Sequence, residues 1–202
     1  MTVFDPQPVL QGESIRVRPL RPDDFTALYA VASDPRIWEQ HPVRDRHRLE
    51  QFREFFDDAV RSGGALVVET TRGELIGSSR FHDFDQLTGD VGFDQLTGDV
   101  EIGWTFLARS HWGGQTNREL KSLMLGHAFQ YVERVVFRVG PENRRSQRAL
   151  EKLGATRIGE CAAGSGDPGG CRKWRPCTQR CVRSVLFVIS RGDWVTQRTM
   201  RA

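Results

Sequence analysis

No stretch of this sequence reaches the roughly 18 apolar residues a membrane span needs. Its opening, MTVFDPQPVLQ, also lacks the basic stretch and apolar run of a secretory leader. A cytoplasmic protein without membrane contact is therefore expected. Strong net charge is missing too: the chain carries +3. From Cys161 onward, eight Lys or Arg stand against two Asp, a balance of +6 that leaves −3 on the first 160 residues. A body of that sign offers no phosphate-tracking surface, so no nucleic-acid partner is expected. All four cysteines lie between Cys161 and Cys181, spaced C-x9-C, C-x5-C and C-x3-C with no histidine near them. That spacing matches no zinc knuckle, and without a leader stable disulfides are not expected. The thiols read as free, and no metal is expected.

What is present is an ordinary globular composition, 38% hydrophobic and 27% charged over 202 residues, enough for one domain with a sizeable core. Ile15-Arg16-Val17-Arg18-Pro19-Leu20 alternates apolar and polar residues, which predicts a half-buried strand. Pro22-Asp23-Asp24 opens a helix with Phe25, Leu28, Tyr29 and Ala32 on one face. Leu49, Phe52, Phe56, Ala59 and Val60 mark a second helix, ended by Gly63-Gly64. ALVVE at 65–69 and ELIGSSRF at 74–81, separated by Arg72-Gly73, predict a hairpin. In the strand predicted at 100–107, Val100, Ile102, Trp104 and Phe106 share one face, and Glu101, Gly103 and Thr105 the other. A helix from about Asn117 to Tyr131 presents Leu120, Leu123, Met124, His127, Ala128 and Tyr131 at helical spacing. A strand at 135–139, a helix at 144–153 and a last strand at 184–190 follow. The order β-α-α-β-β-β-α-β-α-β-β describes one mixed α/β domain without an interdomain linker.

FDQLTGDV at 84–91 recurs unchanged at 93–100. The unit is far too short for a supersecondary repeat, so it reads as a tandem duplication lengthening one hairpin loop. Its nine-residue offset is odd, so pairing through the first copy would turn every side chain to the opposite face.

Two segments carry candidate chemistry. Ser110-His111-Trp112-Gly113-Gly114-Gln115-Thr116-Asn117-Arg118-Glu119-Leu120 follows a strand and opens a helix, and Thr116 and Glu119 have capping-box spacing. Glycines before a helix start let main-chain N–H groups approach a phosphate, and the helix dipole favours an anion there. The segment lacks the Lys-Ser/Thr of a nucleotide P-loop and the G-x-G-x-x-G of a dinucleotide fold; a plain glycine turn joining strand to helix remains the other reading. In the second segment, Gly140 to Ala155, Asn143 is a natural N-cap, Gly154 a natural C-terminal stop, and Ser146 sits in the first turn.

Together these segments, GWTFLARSHWGGQTNRELKSLMLGHAF followed by VGPENRRSQRALEKLGA, resemble the GNAT N-acetyltransferase superfamily, and within it the branch related to ribosomal-protein N-terminal alanine acetyltransferases. The stretches IRVRPLRPDDFTALYAVASDPRIW and GELIGSSRF resemble it as well, over about residues 14–160. The resemblance implies a mixed, mostly antiparallel twisted sheet flanked by helices, whose central strands, here 100–107 and 135–139, splay apart. It implies acetyl-coenzyme A in the opening as cosubstrate. The pantetheine would pair with main chain at Thr105, Phe106 and Leu107, and the pyrophosphate would rest on N–H groups of Trp112, Gly113, Gly114, Gln115, Thr116, Asn117 and Arg118. Asn143 and Ser146 would lie near the pantetheine and the thioester sulfur. An amine attacks a thioester only when neutral, so a base must take its proton, and the carbonyl oxygen needs an N–H donor, here from the 100–107 strand. Ser146 matches the family's proton donor to the departing thiolate. Glu101 is the candidate base, with His111 and His127 behind it, although a solvated strand carboxylate and a packing histidine are the plainer readings. Trp38 reads either as acceptor-pocket wall or as core. Where Gln115 stands the family has glycine, and glycine or alanine where Asn117 stands. A positive φ at 115 would cost Gln roughly 1 kcal/mol or more.

The chain divides into an N-terminal extension at 1–12, the acetyltransferase domain at 13–160, an irregular Cys- and Gly-rich loop at 161–182, and a final strand and tail at 183–202. The expected activity is transfer of an acetyl group from acetyl-coenzyme A to a primary amine, on a protein N-terminus or a small molecule, by a monomer or homodimer. A diverged, non-catalytic acyl-coenzyme A binder is the alternative, and a module whose basic tail binds RNA or ribosomes a third reading. That tail has one Trp and no interleaved aromatics to stack on bases.

Overall fold

Alternation is realised directly at the start of the domain: from Ile15 to Pro19 the chain is a strand with Ile15 and Val17 buried and Arg16 exposed. The structure, a computed structural model, describes residues 4–82, 99–161 and 183–199. Its elements in chain order are β1 (Leu10–Gln11), β2 (Ile15–Pro19), α1 (Phe25–Ala32), α2 (Leu49–Arg61), β3 (Ala65–Thr70), β4 (Leu75–His82), β5 (Asp99–Leu107), α3 (Thr116–Ala128), β6 (Arg134–Val139), α4 (Arg144–Leu153), β7 (Thr156–Cys161), β8 (Ser184–Ser190) and α5 (Arg191–Thr199). The strands form one eight-stranded sheet in the order β1-β2-β3-β4-β5-β6-β8-β7. Every neighbouring pair is antiparallel except β5 and β6. This is the mixed, mostly antiparallel sheet that the resemblance implies.

Each face of the sheet is covered. Along β3, Leu66 and Val68 join the layer that includes Leu120 and Met124 of α3 and Leu150 of α4, whereas Ala65 and Val67 join Leu28 of α1 and Phe52 and Phe56 of α2. Burying each such large side chain contributes roughly 1.5–3 kcal/mol. The α2 face is narrower than predicted: Phe52, Phe56 and Ala59 are buried, but Leu49 and Val60 at the ends are exposed. Phe4 is also buried, edge-on to Phe81 and Tyr131. The sequence expected a tail after the last strand; α5 lies there, its Trp194 buried against Phe129. The first copy of the repeat and residues 162–182, including the three cysteines from Cys171 on, fall outside the described residues. Among the described residues no helix is long and apolar enough to cross a membrane.

β5 departs from the predicted alternation. Ser78 of β4 pairs with Phe106 and Arg80 pairs with Gly103, so two β5 residues, Trp104 and Thr105, oppose Ser79 alone. This is a bulge, and Trp104 takes it up at φ +51°. The extra residue inverts the strand's phase. Val100 and Ile102 share a face as predicted, in the α3 layer, but Phe106 joins the α1–α2 layer and Leu107 the α3 layer. Trp104 turns to Arg80 and His82, and Thr105 turns to Lys121 of α3. The predicted grouping of Trp104 and Phe106 with Val100 and Ile102, and of Thr105 with Glu101, is thereby corrected.

Just ahead of the bulge the sheet divides. β5 and β6 pair only at Asp99–Arg134, Val100–Val135 and Glu101–Val136. Above that point β5 stays with β4 as far as Leu107, while β6 stays with β8 along its whole length. The two central strands therefore diverge as expected.

Candidate active site

The divergence opens a pocket of about 160 Å³. Thr105, Phe106 and Leu107 form its β5 wall, Trp112, Gly113 and Asn117 its end at α3, and Asn143, Arg145, Ser146 and Ala149 its α4 side. Ile37, Trp38 and His41 close it from the segment between α1 and α2. That segment packs hard on the turn before α4: a Cβ on Gly140 would lie 2.7 Å from the Pro42 ring, so only glycine allows this approach. Buried Gln147 holds the same turn, donating from Nε2 to the carbonyls of Gly140 (3.1 Å) and Pro141 (2.9 Å).

Among the described residues, the main-chain N–H groups that follow Trp112 at the α3 end of the pocket have no acceptor before the amide of Glu119. Gly113 takes φ +71°, the left-handed conformation glycine adopts without cost, and a Cβ on Gly113 or Gly114 would meet open space. The helix begins at Thr116 with Gln115 as N-cap and without a side-chain cap, and the first intrahelical bond runs from the Glu119 amide to the Gln115 carbonyl. Thr116 is thus the first helical residue, and the predicted Thr116–Glu119 capping box does not form. Glu119 turns away to the turn between β1 and β2, where it accepts from the Ser14 amide (2.9 Å) and hydroxyl. Burial works against its charge, but the Ser14 hydroxyl and the amides of Ser14, Glu13 and Ile15 outweigh it and hold the carboxyl below its usual range. Gln115 sits at φ −78°, an ordinary helical value, and its side chain is exposed. The strain that a positive φ would bring there is absent, because Gly113 makes the turn.

α4 starts differently. The Asn143 side chain accepts from the Ser146 amide at 3.1 Å, the predicted N-cap, and Gly154 ends the helix at φ +93°. Ser146 lines the pocket, and among the described residues its hydroxyl makes no hydrogen bond. Arg145 lays its guanidinium over the Trp112 ring at 3.7 Å, while Trp112 Nε1 donates to the Leu107 carbonyl at 2.9 Å. These contacts tie the two helix starts to the end of β5.

Of the residues predicted for the site, Thr105, Phe106, Leu107, Trp112, Gly113, Asn117, Asn143 and Ser146 line the pocket. Gly114, Gln115, Thr116 and Arg118 do not, and what they can offer is main-chain N–H. Glu101 lies off the pocket wall. It is 4% exposed, paired with Arg138 at 2.9 Å, and its Oε1 would stand 3.2 Å from a Cβ on Gly103. His111 lines the pocket, whereas His127 is packed among Phe4, Phe81 and Tyr131 with Nε2 against the Asp5 carbonyl, a structural histidine. Trp38 is core, 3% exposed, and also lines the pocket, with Nε1 donating to the Ala32 carbonyl at 2.7 Å.

His41 and Lys121 are among the residues that escaped the sequence reading. His41 lies in an aperiodic loop, and only its nearness to Trp38 pointed to it. Burial and the Arg46 charge push its pKa down to about 4, so it is neutral at pH 7. Lys121 is buried in the α3 layer, its Nζ donating to Thr105 Oγ1 at 2.6 Å and to Ser79 Oγ at 3.4 Å. With no carboxylate beside it among the described residues, burial lowers its pKa to about 7.

A diverging strand pair, a bare helix start facing the gap and a capped helix opposite thus meet around one pocket. The model of the acetyltransferase (GNAT) domain matches residues 14–156, and the chain belongs to that family. Among solved structures it resembles a T. thermophilus chain assigned as an acetyltransferase, at 27% identity and TM-score 0.64 over 95% of this chain and 94% of that one. It also resembles Mycobacterium smegmatis RimJ in complex with CoA-disulfide (18% identity, TM-score 0.62, 96% of this chain and 91% of that one). A third is the ribosomal-protein-S5-alanine acetyltransferase of Vibrio fischeri (16% identity, TM-score 0.59, 93% of this chain and 98% of that one). No protein of curated function matches the sequence.

Proposed function

We propose that this chain transfers an acetyl group from acetyl-coenzyme A to a primary amine by direct attack, the acceptor being a protein N-terminus or a small amine. One observation carries the reading: β5 and β6 pair over three residues and then part, leaving the Thr105–Leu107 edge beside an uncapped helix start. The residues present fit the cosubstrate. The open space at Gly113 and Gly114 admits a diphosphate onto the first amides of α3, and β5 main chain beyond Glu101 is free of β6 to pair with an amide-bearing arm. Bound there, acetyl-coenzyme A supplies an activated thioester. Main-chain N–H groups of β5 near the bulge are the donors for its carbonyl oxygen as charge develops. Ser146, at the first turn of α4, gives a proton to the departing sulfur. Glu101, oriented by Arg138, receives the proton of the acceptor amine.

Thermal unfolding with and without acetyl-coenzyme A tests the binding half. At about 100 times its dissociation constant the ligand stabilises the fold by roughly 2.7 kcal/mol; no shift would remove the reading. Thiol release across a panel of amines tests transfer. Ser146→Ala and Glu101→Gln should each lower kcat more than they change acetyl-coenzyme A affinity, and unchanged turnover in either variant would cancel that residue's role.

A further inference from the structure

The site as described leaves the buried guanidinium of Arg80 unexplained. Arg80 of β4 is 3% exposed; its Nη1 donates to Asp58 Oδ2 of α2 at 2.8 Å, but Nε and Nη2 are buried with no hydrogen-bond partner among the described residues. Buried charged donors are almost always satisfied, and two open ones on a single guanidinium are costly to fold around. Nε and Nη2 form one edge of the planar fork, the geometry that takes both oxygens of a carboxylate at once. The Trp104 ring, 4.8 Å from the guanidinium carbon, and the Phe55 ring at 6.0 Å flank it with apolar surface. Beyond Phe55 lies Arg46, 4.4 Å from that ring and 3.3 Å from Nε2 of His41, which lines the pocket. Burial and the neighbouring Arg80 charge push Arg46 down to about 10. Among the described residues Arg46, Arg80 and Arg138 stand among Asp45, Asp58 and Glu101, of which Asp58 pairs with Arg80 and Glu101 with Arg138. What stays open among the described residues is the Nε–Nη2 edge of Arg80.

Its position points to the acceptor. Arg80 pairs with Gly103, beside Glu101 and on the same face as Trp104. At about 3.3 Å per residue it lies roughly 7–10 Å along β5 from the pocket wall at Thr105 and Phe106. About two or three residues of extended peptide span that length. Resting on the acetyl-transfer reading above, we propose that the Nε–Nη2 edge of Arg80 anchors a carboxylate of the acceptor, so the acetylated amine belongs to an acidic peptide or amino acid and not to a polyamine.

Isothermal titration in the presence of coenzyme A, with two N-terminally free peptides, Ala-Glu-Ala-amide and its isostere Ala-Gln-Ala-amide, and with spermidine, tests this without requiring turnover. The glutamyl peptide should bind at least tenfold more tightly than the glutaminyl one, and spermidine least. Arg80→Lys keeps the charge but loses the fork and should bring the peptide ratio close to one. Equal affinity for the two peptides in the unaltered protein, or no binding of either, overturns the proposal. So does a ratio that survives Arg80→Lys. If Arg80→Lys fails to fold, the ratio in the unaltered protein decides alone. Absence of an acetyl-coenzyme A thermal shift is read separately and strikes the acetyl-transfer reading instead.

Discussion

The two helices flanking the opening begin in opposite ways. α4 satisfies its own first turn, the Asn143 carboxamide taking up the Ser146 amide, whereas α3 starts at Gln115 with no side chain capping it and sends its one acidic first-turn residue, Glu119, to Ser14. A helix start left without a partner lowers stability, since an N-cap contributes about 1 kcal/mol. Leaving it bare at the mouth of a strand gap gives a positive dipole end and several donors to an incoming anion. Stability is given up at one terminus and kept at the other, and on the proposed reading the bare terminus is the one that takes the cosubstrate.

The largest effect on this comparison comes from further along α3. Lys121 adds a buried amine to the same side of the site, and burial holds its pKa near 7 against 10.5 for a free lysine. Below pH 7 the folded protein must bury a charge that the unfolded chain keeps hydrated. Between pH 7 and about 10.5 the unfolded state binds more protons than the folded one, so stability rises with pH across that window. Lys121→Met removes this penalty, and the Ser79 and Thr105 hydroxyls, 2.8 Å apart, still satisfy one another. Chemical denaturation should show a gain on the order of 2–4 kcal/mol at pH 6 that shrinks as pH rises toward 10. A gain independent of pH would mean that the amine does not titrate in this window.

Gly113→Val attacks the bare terminus itself. A β-branched residue at φ +71° costs roughly 1–2 kcal/mol, and its side chain enters the space before the first amides of α3. Calorimetry should find acetyl-coenzyme A affinity reduced at least tenfold; affinity within twofold of the unaltered protein would separate the turn from the ligand. The smallest effects are the most discriminating. Gln115→Asp supplies the missing cap and should stabilise the free protein by about 0.5–1 kcal/mol while weakening acetyl-coenzyme A several-fold, because the new carboxylate competes for the same amides. Asn143→Ala at the other helix should cost about 1 kcal/mol in thermal unfolding. If Gln115→Asp and Asn143→Ala shift stability in the same direction, the contrast between the two termini is lost.

Much of this was legible in the sequence, and what was not has physical causes. Periodicity gave the helices and strands, and the glycine-bearing turn after β5 together with Asn143 and Ser146 gave the pocket ends. The bulge was hidden because Val100, Ile102, Trp104 and Phe106 are all apolar: period two fits them whether or not the strand slips by one. Nothing in the sequence marks Trp104 as the residue that takes φ +51°. Thr116 and Glu119 have capping-box spacing, but the helix starts one residue too early to use it, and Glu119 finds its partner at Ser14, 105 residues away. His41, Arg145 and Arg80 acquire meaning only through packing across the sheet, which no local pattern encodes. α5 was missed for the same reason, since Trp194 finds its place against Phe129 only in the folded chain.

Amide hydrogen exchange followed residue by residue, with and without acetyl-coenzyme A, tests the central claim most directly. The ligand should slow exchange at residues 113–118 and at Thr105–Leu107, and leave the amide of Ser146, already held by Asn143, little changed. Slowing confined to other parts of the chain, or none at residues 113–118, would contradict it.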